Sequence, residues 1–142
     1  MKKFTSILIL FATIFAANSQ NLPQEFSKLP GTWNFSQVYA DGQDMTSQFV
    51  EGQLGGVKHS MTLKVDGTLI FSEKYTTDNT ISSASWEYVP KANRGQEPAI
   101  DFRISSVFEN GSATEKYTLV SVDDKQLVYE NKLSGIKFIF VR

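Results

Sequence analysis

The sequence predicts an all-β fold, an eight-stranded antiparallel up-and-down β-barrel that follows an N-terminal leader. Three observations carry this. Period-2 alternation of apolar and polar residues recurs through the chain after the first twenty residues, whereas helical periodicity is nearly absent. Turn-forming residues separate the alternating runs at the short regular spacing of a sandwich or barrel. The runs number eight, and an even number of sequential antiparallel strands can close without leaving an exposed edge. Eight is also a favoured count for a small barrel, and 142 residues suffice for one domain with a real core.

Taken in order, the chain opens with Lys2 and Lys3 ahead of a short apolar run at 4–17, and Ala17-Asn18-Ser19 supplies small residues for cleavage. This pattern predicts a signal peptide over residues 1–19 and a mature domain over 20–142. The run is shorter than the roughly 20 apolar residues a membrane span requires, so no stable membrane insertion is expected. Leu22, Phe26 and Leu29 are spaced as one face of a short helix that ends before Pro30-Gly31 and could cover one end of the barrel. The strands follow at residues 32–40, 58–65, 69–76, 81–89, 99–105, 113–122, 126–131 and 136–142. Residues 41–57 form a long connection, read either as a lid whose Met45, Phe49 and Val50 turn inward as a short helix or as a mobile surface loop.

One turn can be tested against the hydrophobic pattern. A two-residue Asp66-Gly67 turn would put Leu69 on the wrong face, because register has a period of two. A three-residue Val65-Asp66-Gly67 loop with a left-handed glycine instead pairs Leu63 with Leu69 and Met61 with Phe71.

Charge and composition narrow the chemistry. Without Lys2 and Lys3 the 14 basic residues fall to 12 against 15 acidic ones, a net charge of −3 that disfavours a nucleic-acid surface. The chain has no cysteine, hence no disulfide, no thiol nucleophile and no thiol for a lipid anchor, so a soluble secreted or periplasmic product is expected. A single histidine rules out a multi-histidine metal site, and no phosphate-cradling glycine loop is present, so neither metal nor cofactor is expected. Asn110-Gly111-Ser112 has the form of a glycosylation acceptor but reads better as a turn. Carboxylates such as Glu73, Asp101 and Glu115 read as solvated strand positions, and catalysis is not expected.

Gly31-Thr32-Trp33, opening the first strand of an eight-strand pattern, resembles the Gly-x-Trp signature of the lipocalins and the wider calycin group. The final strand adds a second feature, since Phe138, Phe140 and Arg142 share one face. The resemblance implies that Trp33 sits at the closed end of a barrel with the arginine packed across its ring. Alternation up and down brings the start of the first strand beside the end of the eighth, so the pairing is physically reasonable, and a guanidinium over an indole gains roughly 0.5–2 kcal/mol. Gly31, Trp33 and Arg142 therefore read as a structural signature. Absent disulfides, a short mature chain and no long outer helix make the sequence more similar to compact lipocalin-like domains of exported bacterial proteins than to animal carriers.

With Trp33 at the floor, Tyr39, Met61, Phe71, Glu73, Tyr75, Ile104, Tyr129 and Phe138 fall toward the open mouth, an apolar wall with polar handles. They are the expected contacts for a small hydrophobic or amphipathic molecule. The register sets His59 opposite Glu73, either as a head-group pair with a raised histidine pKa or as a solvated surface pair. The competing reading is a filled barrel, because eight strands enclose just enough space to be packed or to hold one small ligand. Such a barrel would bind another exported protein or a glycan through its loops. The sequence names no particular protein partner.

Overall fold

The computed structural model describes residues 21–52, 54–90 and 97–142. The expected leader, residues 1–19, and most of the polar loop at 91–97 lie outside the described residues. A 3₁₀ turn (Gln24–Phe26) precedes β1 (Gly31–Ala40), β2 (Gln43–Asp44), helix α1 (Thr46–Gly52), β3 (Ser60–Leu63), β4 (Leu69–Phe71), helix α2 (Glu73–Asp78), β5 (Ile81–Val89), β6 (Ala99–Phe108), β7 (Gly111–Val122), β8 (Gln126–Asn131) and β9 (Ile136–Val141).

Eight strands line up in the order β4-β3-β1-β9-β8-β7-β6-β5, with the two-residue β2 appended to β1. Each neighbouring pair is antiparallel, so the wall is an up-and-down meander that nearly closes on itself. The first and last strands pair from Asn34↔Val141 to Ala40↔Ile136, with one break in register. The seam lies between β4 and β5 instead. One bridge, Thr68↔Ser85, joins them there. Trp86 reinforces it: its backbone N–H donates to the Gly67 carbonyl at 2.9 Å and its indole Nε1–H to the Lys64 carbonyl at 2.8 Å.

The turn between β3 and β4 has the expected three-residue form. Gly67 takes φ 94°, and Leu63↔Leu69 and Met61↔Phe71 pair across it. Beyond Phe71 the expected strand over 69–76 does not continue. Ser72 occupies an N-cap position, Glu73 places an acid in the first turn, and Lys74 pairs with Asp78 one turn on, so residues 73–78 coil into α2. Helical signals local to this segment override its alternation. Val65, alternating with Met61 and Leu63, belongs to the turn and is half exposed.

A second departure comes from a β-bulge. The β1–β9 register slips between Phe35 and Gln37, leaving Ser36 as an extra residue, so the buried face of β1 reads Trp33, Phe35, Val38 rather than continuing through Tyr39. The segment 22–29 forms a single 3₁₀ turn whose Phe26 ring packs 5.8 Å from Tyr88, and Leu29 is fully buried.

The core lies inside the barrel. Trp33, Met61, Leu63, Ile100, Phe102, Leu127 and Phe140 are essentially inaccessible. Above them aromatic rings touch in series: Phe102–Tyr129 at 5.0 Å, Tyr117–Tyr129 at 4.8 Å and Tyr129–Phe138 at 5.5 Å between centroids. Rings at these separations are in packing contact.

Candidate functional site

The closed end has the geometry that the Gly-x-Trp motif implied. The Arg142 guanidinium carbon lies 3.9 Å from the Trp33 ring centroid, and Nη2 donates to the carbonyls of Lys28 at 2.9 Å and Pro30 at 3.1 Å. Trp33 Nε1–H donates to the Leu29 carbonyl at 2.9 Å. Gly31, at φ 128°, adopts a backbone conformation that disfavours a side chain, and a Cβ there would stand 3.1 Å from Arg142 Nη2. Each polar group thus seals the connection ahead of β1, a structural task.

At the opposite end, α1 folds over the mouth. Asp44 Oδ1 accepts from the Thr46 backbone N–H at 2.9 Å and from its hydroxyl at 2.6 Å, which caps the helix start. Thr46 Oγ1 in turn accepts from the Val38 N–H at 3.1 Å, and the Met45 N–H donates to the Val38 carbonyl, which ties α1 to the strand beyond the bulge. Phe49 is thereby held 4.9 Å from Phe35 and 5.5 Å from Phe138. Between α1, Asn79 and the rim strands opens a cleft of about 470 Å³, lined chiefly by Val38, Met45, Phe49, Ile136 and Phe138, with Gln48, Asn79 and Glu115 as polar edges. A second groove of about 420 Å³ runs outside it, between Phe35, Val50, Leu54 and His59.

The expected ligand contacts divide four ways. Phe138 lines the mouth cleft. Ile104 and Tyr129 are buried beneath its rim, Ile104 opposite Glu115 across β6 and β7. Met61 and Phe71 are core residues, sealed by packing. Tyr39 and Glu73 fall outside: the bulge turns Tyr39 to a groove on the outer wall with Glu130, Lys137 and Ile139, and α2 leaves Glu73 exposed. Tyr75 comes in from α2 rather than from a strand, its ring stacked 4.1 Å from His59.

His59 therefore has a different environment from the expected Glu73 pair. It is 4 % exposed, its Nδ1 shares a 2.7 Å hydrogen bond with Ser72 Oγ, and its ring packs against both Phe71 and Tyr75. Without a carboxylate partner, burial alone acts, and it pushes the imidazole down to about 4, opposite to the direction a Glu73 pair would give.

The residues that sequence reading missed at the mouth are Asn79 and Tyr117; Glu115 is the exposed strand carboxylate it expected, but now at the edge of the cleft. The Tyr117 hydroxyl donates to Glu115 Oε2 at 3.0 Å. Burial, then the Glu115 charge, raises the Tyr117 phenol and pushes Tyr75 up to about 12, while burial followed by neighbouring Tyr75 raises Tyr129. The three phenols are thus neutral around a single carboxylate. Their one legible signal was the alternation of Glu115 with Tyr117 on β7, which places both on the inner face.

Among the described residues no helix is long and apolar enough to cross a membrane, and no three acidic or histidine side chains converge as a metal site. Compared with known proteins, the chain matches no family model, no curated protein and no solved structure.

Proposed function

We propose that this protein is an exported, lipocalin-like binder of a small apolar or amphipathic molecule, held at the mouth of the barrel rather than deep within it, and that it carries the molecule without transforming it. The observation that supports this reading most is the cleft between α1 and the rim, whose walls are Val38, Met45, Phe49, Ile136 and Phe138. A concave apolar surface with a few polar edges is the usual form of a small-molecule site. The Gly31, Trp33 and Arg142 arrangement supports the lipocalin-like part of the reading. The apolar run behind Lys2 and Lys3 supports export.

A second reading draws on the ring-filled interior: a packed barrel that binds another exported protein or a glycan through its loops. Titration with the neutral fluorophore N-phenyl-1-naphthylamine separates the two. Small-molecule binding predicts saturable fluorescence enhancement that weakens about tenfold in Phe49→Ala, the equivalent of about 1.4 kcal/mol of lost apolar contact. Fluorescence that does not saturate, together with native mass spectrometry showing no co-purified molecule, would leave the loop-binding reading.

A further inference from the structure

The mouth combines two features that together select a head group. The first is Glu115, whose carboxylate edges the cleft. Its hydrogen-bond partner is the Tyr117 hydroxyl, and the ion pairs among the described residues, Lys28–Asp124, Lys74–Asp78, Arg103–Glu87 and Lys116–Asp101, leave it without a cation. The second is a set of ring faces, Phe49 and Phe138 in the cleft wall and Tyr117 5.9 Å from Phe138.

Resting on the small-molecule reading of this cleft, we propose that its ligand is an organic monocation, an alkylammonium group on an apolar tail, with the ammonium against Glu115 and the tail along Met45, Phe49 and Ile136. A carboxylate without a countercharge repels phosphate, sulfate and fatty-acid heads and attracts a positive one. Aromatic faces add cation–π attraction that a neutral head cannot collect, and their low polarity favours a bulky, weakly hydrated cation over a bare metal ion. One carboxylate is too few for a calcium or magnesium cage, which needs several oxygen ligands.

The test compares three amphiphiles with the same ten-carbon tail, decyltrimethylammonium, decyl maltoside and decyl sulfate, by isothermal titration calorimetry below their micelle concentrations. The expected order places the ammonium at least tenfold tighter than the maltoside, with the sulfate weakest. Glu115→Gln, which retains an acceptor for the Tyr117 hydroxyl, should abolish the ammonium advantage and leave maltoside binding unchanged. Glu115→Lys should reverse the order in favour of the sulfate. Equal affinities for all three heads, or an ammonium preference that survives Glu115→Gln, would overturn the cation assignment while leaving the amphiphile site standing. Failure of all three to bind would overturn both.

Discussion

His59 links a single buried side chain to the acid stability of the whole protein. An unfolded histidine titrates near 6.5, whereas burial against Phe71 and Tyr75 holds this one down to about 4. Between those values the unfolded chain binds more protons than the folded one, so stability is fully present above about pH 6.5 and is lost as pH falls toward 4. Across that window the loss is about 3 kcal/mol. Asp44, Asp66 and Asp123, each held below the usual carboxylate value by hydrogen bonds from neighbouring residues, act only at still lower pH. Urea titrations at pH 7 and about pH 4.5 should show a loss of roughly 2–3 kcal/mol in the native protein and little in His59→Phe, which keeps a ring but cannot take a proton. An equal acid sensitivity in both proteins would assign the effect elsewhere. That this histidine is the only one was plain from the sequence, but its surroundings were not, because they depend on a helix where alternation spelled a strand.

At the scale of elements, β1 shows what alternation can and cannot specify. Gln37 was the discordant position in the unbroken pattern, a polar residue on the face shared by Trp33 and Phe35, and the bulge at Ser36 resolves it by bringing Val38 inward. Val38 and Tyr39 are both apolar enough to fit either frame, so pattern alone favoured the simpler one. The register of β3 and β4 was legible for the opposite reason, since only one loop length kept Leu63 and Leu69 on a common face. Deletion of Ser36 should therefore be tolerated at a cost of about 1–2 kcal/mol, because a regular strand then carries Trp33, Phe35 and Val38 inward without the extra residue. Deletion of Asn34 places Trp33 and Phe35 on opposite faces and should abolish the near-ultraviolet circular dichroism of the folded state. Similar losses in the two deletions would argue against the bulge. At the mouth, the aromatic residues were readable as inward-facing, whereas the cleft itself required α1, whose Asp44 cap and anchorage to Val38 join residues on both sides of a turn.

Across the whole molecule, the count of strands and their sequential pairing followed from periodicity, yet the weakest join did not. Closure between β1 and β9 runs the length of both strands, interrupted by one bulge, and the ring is thin where β4 meets β5. β4 has three residues, one fully paired neighbour and a single bridge to β5, whereas β6 and β7 pair over eight positions from Asp101↔Thr118 to Phe108↔Gly111. Native-state hydrogen exchange should accordingly find the β4 amides opening well before those of β6 and β7, with protection factors lower by at least tenfold. Uniform protection around the barrel would mean that the wall opens as one cooperative unit. The sequence hid this asymmetry because Ser72 and Glu73 end the strand through local helix chemistry, which shortens the only edge available to β5.

The placement of the two indoles gives the protein a built-in pair of optical probes. Trp33 is stacked under a guanidinium at the floor, and Trp86 is clamped by its ring nitrogen across the thin join between β4 and β5. Both are shielded from water. Emission from one therefore reports the integrity of the sealed end and emission from the other the parting of the wall, so single-tryptophan variants can time the two events separately within one molecule.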